Sequence, residues 1–171
     1  MKCVNLGPYL IKKYQTILGK ERKRLVTTTY LLAIDQGTTG STAQVIRLGE
    51  DQTLKVIGQA NAPFPLSYPH PNWVEQDLEE IWTSVETSVI KALQMASHQD
   101  SQFAPESLGA LGITNQRETL CVFDPKTSKP VRKAIVWQCK RSTDICKTLH
   151  KEGLGSSIQE KTGLVIDPYF T

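Results

Sequence analysis

The chain has 171 residues, of which 39% are hydrophobic and 22% charged, a composition typical of one globular domain that excludes fibrous and disordered classes. The net charge of +3 is unevenly spread, because seven Lys or Arg and one Glu give residues 1–26 a charge of +6, which leaves −3 for the rest. This distribution disfavours nucleic-acid binding by the chain as a whole, since the basic excess is confined to the first residues.

The first segment, residues 1–28, is predicted to be a basic N-terminal extension that is poorly ordered, with an upstream start-codon artefact or a functional tail as the other interpretations. It lacks the apolar core and cleavage site of a secretory signal. No run in the chain approaches the roughly 18 apolar residues of a membrane span. The four cysteines form no C-x-x-C pair. We therefore expect a cytoplasmic protein with reduced thiols and no zinc site.

The next segments predict strands and a loop. Tyr30–Asp35 and Ala43–Leu48 are short β-rich runs joined by a turn that contains glycine, which is typical of a hairpin. Leu54–Ala60 is predicted to be a third strand. The segment PFPLSYPHPNW has too many prolines for a helix or a central strand, so we expect an ordered loop there.

A long amphipathic helix is predicted to begin near Asp77. This residue is a suitable N-cap, and Glu80 follows three residues later. Helical spacing relates the apolar positions 78, 81, 82, 85, 89, 93 and 96. That face is expected to pack on a core.

The remaining elements complete an α/β pattern. Leu108–Thr114 is predicted to be a buried strand that ends at the polar cluster NQRET, and TLCVFD and KAIVWQ flank a turn, which favours another hairpin. Helical signals recur over residues 142–151, closed by Gly153, and over residues 156–161, closed by Gly163. Strands come both before and after the long helix, so the sheet is expected to be mixed.

The segment AIDQGTTGST places an acid and several hydroxyl residues on a turn. It is neither a P-loop nor a dinucleotide fingerprint, because the required lysine and glycine spacing are absent. Main-chain N–H groups with the hydroxyls of Thr38, Thr39 and Ser41 suit phosphate oxygens, and Asp35 suits Mg²⁺ directly or through water. A solvated hairpin turn explains the same residues equally well. A phosphatase loop is disfavoured, because Gly37 replaces the second acid.

Arg117 and Glu118 directly follow a predicted strand. Neighbouring side chains on a regular strand point to opposite faces, so the backbone must turn if both serve one ligand. Together they can donate to and accept from adjacent hydroxyls, as a small polyol requires. A surface Arg–Glu pair is the alternative, and composition alone favours it. Trp137 and Tyr169 each offer an apolar wall with a polar tip, although such residues more often serve packing.

Five segments together resemble the glycerol kinases of the FGGY carbohydrate kinase family: AIDQGTTGST, YPHPNWVEQD, GITNQRET, AIVWQCKR and TGLVIDPYF, in that order. The resemblance extends from Tyr30 to Thr171. It implies an actin/Hsp70-like (ribonuclease H-like) α/β fold with a mixed β-sheet, the first of the two domains of a sugar kinase. Residues 29–171 would form this N-terminal domain, truncated at its C-terminal end.

Family roles then transfer by position as implications of the resemblance. Asp35 would hold Mg²⁺, possibly through water. The residues implied to bind nucleotide phosphate are Gly37, Thr38, Thr39, Gly40 and Ser41. Those implied to bind glycerol are Arg117, Glu118, Trp137 and Tyr169. One position departs from the family pattern, because Thr42 stands where a basic residue is usual.

The resemblance implies ATP-dependent phosphorylation of glycerol to glycerol 3-phosphate, with ATP and Mg²⁺ as cofactors. The general base and the adenosine pocket are expected beyond Thr171, so no catalytic residue is predicted in this chain. A homo-oligomer or a missing C-terminal domain is the expected partner. The alternative is a catalytically inactive fragment that at most binds glycerol or phosphate.

Overall fold

The computed structural model describes residues 29–170, so the predicted extension over residues 1–28 lies outside the described residues. The elements in chain order are β1 (Thr29–Gln36), β2 (Gly40–Leu48), β3 (Leu54–Pro63), β4 (Glu75–Gln76), α1 (Leu78–Gln99), a 3₁₀ helix (Pro105–Ser107), β5 (Leu108–Asn115), β6 (Ala134–Ile135), α2 (Thr143–Lys151) and α3 (Gly155–Thr162). The predicted α/β class is confirmed.

The main sheet has four strands in the order β3-β2-β1-β5. Short connections make β1, β2 and β3 an antiparallel meander, which confirms the predicted hairpin and third strand. β5 runs parallel to β1. The amide of Gln116 donates to Gln36 O (2.7 Å) where both strands end, and Gly109 lies against Thr29 where both begin. The predicted mixed sheet is therefore confirmed.

The described chain divides into two compact units. The first contains residues 29–35, 42–61 and 87–113, and the second contains residues 36–41, 62–86 and 114–170. Most of the four-stranded sheet belongs to the first unit. The pair formed by β4 and β6 belongs to the second.

Alternation along the strands builds the core of the first unit. Buried hydrophobic strand residues are Tyr30, Leu32, Ile34, Ala43, Val45 and Ile57, and the buried hydrophobic residues of α1 in this unit are Val89, Ala92 and Ala96. The helix approaches β3 closely at Gly58, where a β-carbon would overlap the main-chain oxygen of Ala92. Gly58 is therefore needed for this contact between helix and strand.

A buried carboxylate completes the first unit. Asp100 accepts hydrogen bonds from the hydroxyl of Tyr30 (3.1 Å), from Arg47 Nη1 (3.2 Å) and from the amide of Gln102 (3.0 Å). The bond from the Gln102 amide, with those from Arg47 and Tyr30, holds the pKa of the Asp100 carboxyl below its usual value, against the opposing effect of burial. This acid is therefore fully engaged in structure.

The second unit is organised around an antiparallel pair of short strands. Glu75 of β4 pairs with Ile135 of β6. The buried residues beside this pair are Val74, Val136 and Cys139, against which Leu66, Trp73, Ile135 and Trp137 pack. The proline-rich segment between β3 and β4 is an ordered loop, as predicted, joined to β4 by the bridge between Ser67 and Glu75.

Local capping signals confirm the predicted helices. Asp77 Oδ1 accepts the amide hydrogen of Glu79 (3.0 Å) at the start of α1. Gly153 and Gly163 end α2 and α3, each with φ of +74°, where glycine avoids the penalty of a β-carbon. Within residues 29–170, no helix has the length and apolar character that crossing a membrane requires.

The predicted burial of the strand over Leu108–Thr114 is wrong. β5 forms at this position, but Leu111 is 47% exposed and Ile113 is 54% exposed. The reason is the strand order, since β5 lies at an edge of the sheet and β1 is its only strand neighbour among the described residues. An apolar run predicts a strand well, but its burial depends on neighbours that the run does not specify.

The hairpin predicted around the PKTSKP turn is only partly formed. Isolated antiparallel bridges join Leu120 to Ile135 and Phe123 to Pro130, while β6 pairs with β4. The turn itself is well defined, because Asp124 Oδ1 accepts the amides of Lys126 and Thr127. Proline on one side removes a donor, which limits the ladder.

Candidate active site

The turn between β1 and β2 presents free main-chain donors. The amide of Gly37 bonds to Gly40 O (2.9 Å) and closes the turn. The N–H groups of Thr38 and Thr39 have no acceptor among the described residues, and the side chain of Thr39 is exposed. Unpaired N–H groups on a tight turn are suited to an anion such as phosphate.

The same turn is held firmly against the end of β3 and the residue that follows it. A β-carbon at Gly40 would lie 2.9 Å from Ala62 O and 3.0 Å from Pro63 Cα, so this position requires glycine. The amide of Phe64 donates to Thr39 O (3.2 Å). The turn is therefore positioned by main-chain contacts before any ligand binds.

Ser41 and Thr42, which follow the turn, form hydrogen bonds within the protein. The Ser41 hydroxyl is buried and lies 2.7 Å from Ser84 Oγ. This hydroxyl is therefore hydrogen-bonded within the protein, and its predicted role in phosphate binding stays a prediction. Thr42 stands at the position where a basic residue was expected, and its Oγ1 accepts a hydrogen bond from Asn61 Nδ2 (3.0 Å). Thr42 therefore supplies no positive charge.

Asp35, the residue predicted to hold Mg²⁺, has a carboxylate that is available to a ligand. It lies in the first unit, two residues before Gly37 in the chain, and its carboxylate is exposed and makes no hydrogen bond or ion pair with any described residue. Mg²⁺ is commonly held by one or two carboxylates together with phosphate oxygens and water. No group of three His, Cys, Asp or Glu within residues 29–170 forms an all-protein metal site. An ion at Asp35 would therefore need ligands that the described residues do not supply.

Thr38 is the point at which distant segments meet. Trp137 donates its indole N–H to Thr38 Oγ1 (3.0 Å), across 99 positions in the chain. The ring of Trp137 also makes an edge contact with Tyr169, with centroids 5.5 Å apart. The structure thus brings together one residue predicted to bind phosphate and two predicted to bind glycerol.

Tyr169 and Trp137 form a half-buried aromatic wall. Tyr169 also contacts the ring of Phe170 edge-on (4.9 Å), and its amide donates to Asp167 Oδ1 (2.8 Å). Aromatic side chains of this kind combine an apolar face with a polar tip. The wall suits a ligand that has a short carbon chain and hydroxyl groups.

Arg117 and Glu118 lie where the backbone leaves the strand. β5 ends at Asn115, and Glu118 has φ of +61°, in the left-handed region that non-glycine residues rarely adopt. The backbone therefore turns here, as it must if both side chains are to serve one ligand. Both side chains are exposed, and within residues 29–170 they form no ion pair with each other or with another residue. The surface-pair alternative is therefore not observed.

Two functional candidates were missed by the sequence analysis. Gln76 is fully buried, donates to the main-chain oxygen of Thr38 (2.5 Å) and accepts from Gln116 Nε2 (2.9 Å). Gln116 also accepts from Thr119 Oγ1 (3.0 Å). Both glutamines lie in segments that carry the family resemblance, which was the available signal, but composition does not distinguish a buried amide from an exposed one.

A cationic contact supports the strand that carries Gln76. Arg141 forms an ion pair with Glu75 (2.8 Å), stacks over the ring of Trp73 (3.9 Å) and donates its Nε–H to Cys139 Sγ (2.9 Å). Burial alone would raise the pKa of the Cys139 thiol, but the hydrogen bond from Arg141 and those from main-chain groups hold it below its usual value. These contacts fix β4 and β6 without using an exposed group.

Comparison with known proteins identifies relatives of this chain and of its fold. The model of the N-terminal domain of the FGGY family of carbohydrate kinases matches residues 30–171. Glycerol kinase from Salmonella paratyphi B is 44% identical over 142 residues, which cover 83% of this chain and 26% of the relative. Glycerol kinase from Salmonella gallinarum matches equally well. The chain thus spans about a quarter of the length of the curated relatives it matches.

Solved structures agree with that comparison. Plasmodium falciparum glycerol kinase with ADP superposes with a TM-score of 0.69 and 29% identity, over 84% of this chain and 27% of that protein. Xylulose kinase from Rhodospirillum rubrum superposes with a TM-score of 0.66 and 23% identity, over 81% of this chain and 26% of that protein. The predicted sugar-kinase fold is confirmed.

Proposed function

The chain belongs to the FGGY family of carbohydrate kinases, and on that premise we propose that it supplies the phosphate turn and part of the glycerol site of an ATP-dependent glycerol kinase. The reaction joins the γ-phosphoryl group of ATP to a glycerol hydroxyl, giving glycerol 3-phosphate and ADP. We expect it to take place in the cytoplasm. The observation that carries this proposal is the hydrogen bond between Trp137 and Thr38, which joins a glycerol-site residue to the phosphate turn.

Glycerol is the substrate that the exposed groups favour. Arg117 offers several N–H donors in a fixed fork, and Glu118 offers carboxylate acceptors. Adjacent hydroxyls of a short polyol can use both, while Tyr169 offers a further polar contact and Trp137 an apolar face. The 44% identity to glycerol kinases supports glycerol over a longer sugar.

The phosphate end relies on the turn and on one acid. The free N–H groups of Thr38 and Thr39 would bind phosphate oxygens, and Asp35 would bind Mg²⁺. When bound, ATP supplies the phosphoryl group and Mg²⁺ neutralises charge on it. These residues hold and orient the phosphates, and none of them removes the proton of the glycerol hydroxyl.

A second polypeptide region is needed in this proposal. Phosphoryl transfer requires positioning, metal and base together. The family resemblance assigns the general base and the adenosine pocket to positions beyond Thr171. We therefore propose that these residues bind glycerol and phosphate, and that a C-terminal domain supplies the base and the adenosine pocket. An inactive fragment that only binds glycerol or phosphate is the second candidate.

Calorimetric titration with glycerol tests the substrate assignment. We expect saturable binding to the 171-residue chain and a loss of at least about tenfold in affinity for Arg117→Ala, since a charged hydrogen bond contributes about 1.5–3 kcal/mol. Arg132→Ala, which removes another exposed arginine, is the matched control and should not change the affinity. Tighter binding of xylulose than of glycerol would contradict the assignment.

An activity assay separates the binding role from catalysis. The purified chain with glycerol, ATP and Mg²⁺ should produce no glycerol 3-phosphate above a protein-free control. Turnover by the purified chain would show that the base lies within these residues. Turnover that appears only after adding the C-terminal domain of a glycerol kinase would support the proposed division of roles.

A further inference from the structure

A directed line of hydrogen bonds crosses the second unit. Thr119 Oγ1 donates to Gln116 Oε1 (3.0 Å), Gln116 Nε2 donates to Gln76 Oε1 (2.9 Å), and Gln76 Nε2 donates to Thr38 O (2.5 Å). Each amide accepts at its oxygen and donates at its nitrogen, so the dipoles align and strengthen one another. One end of the line is the phosphate turn, and the other is the turn that contains Arg117 and Glu118.

Packing alone does not explain why residue 76 has an amide side chain. Its side chain is fully buried, and a buried amide is costly unless its groups are hydrogen-bonded. A leucine of similar size would fill the position without that cost. The amide is useful because it bonds simultaneously to Thr38 and to Gln116.

The far end of the line closes a strained turn. Glu118, with φ of +61°, lies between Gln116 and Thr119, whose side chains bond to each other. The main-chain N–H of Gln116 also donates to Gln36 O (2.7 Å), immediately before Gly37. Backbone strain persists where surrounding contacts determine the conformation, and here those contacts lead to the phosphate turn.

We propose that Gln76 and Gln116 are positioning residues that couple the phosphate turn to the turn carrying Arg117 and Glu118. The identity of the two ligands, nucleotide phosphate and glycerol, rests on the proposed function, whereas the coupling of the two turns does not. Such coupling is reciprocal, so each ligand strengthens binding of the other. The expected enhancement is about fivefold to tenfold.

Amide hydrogen exchange in the ligand-free 171-residue chain tests the coupling directly. Gln116→Met removes the amide at one end of the line and keeps a side chain of similar length. The amide of Gly37, which bonds to Gly40 O at the other end, should exchange about fivefold faster in this variant. Exchange of Gly37 that stays within about twofold of the unmodified chain would overturn the proposal.

A matched control separates this effect from general loosening. Gln44 Nε2 donates to Gln59 Oε1 over the same 2.9 Å, on an exposed part of the first unit. Gln59→Leu removes that bond and should leave exchange of Gly37 unchanged. If Gln59→Leu accelerated Gly37 exchange as much as Gln116→Met does, the assignment to this line would be wrong.

Titration with glycerol, with and without saturating MgADP, tests the consequence for ligands. Gln76→Leu breaks both bonds of Gln76. This variant should abolish the enhancement by MgADP while changing the affinity for glycerol alone by less than about threefold, since Gln76 is fully buried in the ligand-free protein. A purely structural role would instead weaken glycerol binding itself.

The outcomes are distinguishable. Enhancement that survives in Gln76→Leu overturns the coupling. If the unmodified chain binds neither glycerol nor MgADP, the proposed function is contradicted, while the exchange experiment still decides the coupling. If Gln76→Leu fails to fold, both the hydrogen exchange and the ligand titration are measured on Gln116→Met.

Discussion

Asp100 in the first unit and Gln76 in the second are both buried polar residues, but their partners differ in kind. Asp100 bonds to Tyr30, Arg47 and Gln102, all of which serve the packing of that unit. Gln76 bonds to Thr38 in the phosphate turn and, through Gln116, is connected to the turn of Arg117 and Glu118, whose side chains make no ion pair within residues 29–170. A buried polar group is a sign of function when its hydrogen bonds lead toward unpaired groups.

The largest expected effect comes from breaking the structural cluster. Asp100→Ala removes three hydrogen bonds and leaves the hydroxyl of Tyr30 buried without its acceptor, so the free energy of unfolding should fall by about 3 kcal/mol. Urea denaturation measures this change. Asp144→Ala, whose carboxylate is 92% exposed and pairs only with Lys147, should cost less than about 0.5 kcal/mol. Equal costs for the two variants would contradict the structural role of Asp100.

A smaller loss is expected from crowding the phosphate turn. The β-carbon of Gly40→Ala would press against the main chain at Ala62, which should cost about 2 kcal/mol and weaken MgADP binding. Gly112→Ala is the control, because a β-carbon there meets nothing within 4 Å among the described residues. Wild-type stability and MgADP affinity in Gly40→Ala would show that the turn adjusts freely.

Acid should weaken the first unit through Asp100. Its pKa is lowered in the folded protein, so its contribution to stability is fully present above the ordinary value of about 3.9 and is lost as the pH falls through the folded value. Urea denaturation between about pH 5 and pH 2 measures this loss. Asp100→Asn should show a shallower dependence on pH, because the amide does not titrate, and an unchanged slope would assign the acid sensitivity to other groups.

A single hydrogen bond at the phosphate turn should have a modest effect. Trp137→Phe keeps an aromatic ring and removes the N–H that bonds to Thr38 Oγ1, so MgADP affinity should fall about fivefold. Trp73→Phe keeps a ring beneath Arg141 and should leave MgADP affinity unchanged. Calorimetry with MgADP compares the two variants, and equal affinities for both would show that the Trp137–Thr38 bond does not position the turn.

Local signals explain which parts of the fold were predictable. The N-cap at Asp77 and the glycines that end α2 and α3 are recorded in a few neighbouring residues, and all three appear as predicted. Burial of β5 was mispredicted, because it depends on which strands lie beside it. In this chain, secondary structure is determined by interactions between residues close in sequence, whereas the burial of a strand is determined by the order of strands in the sheet.

The candidate site was predictable only in its components. Family resemblance indicated Thr38 and Trp137 separately, but their hydrogen bond spans 99 positions and follows from no local pattern. Gln76 was missed because the sequence around it resembles an exposed polar segment before a helix. Its burial arises from the pairing of β4 with β6, which is a property of the folded chain.

The smallest expected effect on stability comes from Glu118→Gly, and it is opposite in sign to the effect on binding. Glu118 has φ of +61°, so Glu118→Gly should relieve backbone strain and raise the free energy of unfolding by about 0.5 kcal/mol, because part of the gain is offset by the flexibility of glycine in the unfolded chain. The same change removes a predicted glycerol acceptor. Calorimetry should therefore show glycerol affinity reduced by about tenfold.

Ser128→Gly supplies the control for this change. Ser128 has φ of +56° in the turn that follows Asp124, where no ligand role is predicted. It should gain a similar stability and leave glycerol binding unchanged. If Glu118→Gly were more stable and still bound glycerol normally, the strained conformation of Glu118 would have no role in binding glycerol. Loss of glycerol binding in Glu118→Gly, without such a loss in Ser128→Gly, would show that the strained residue Glu118 serves the ligand.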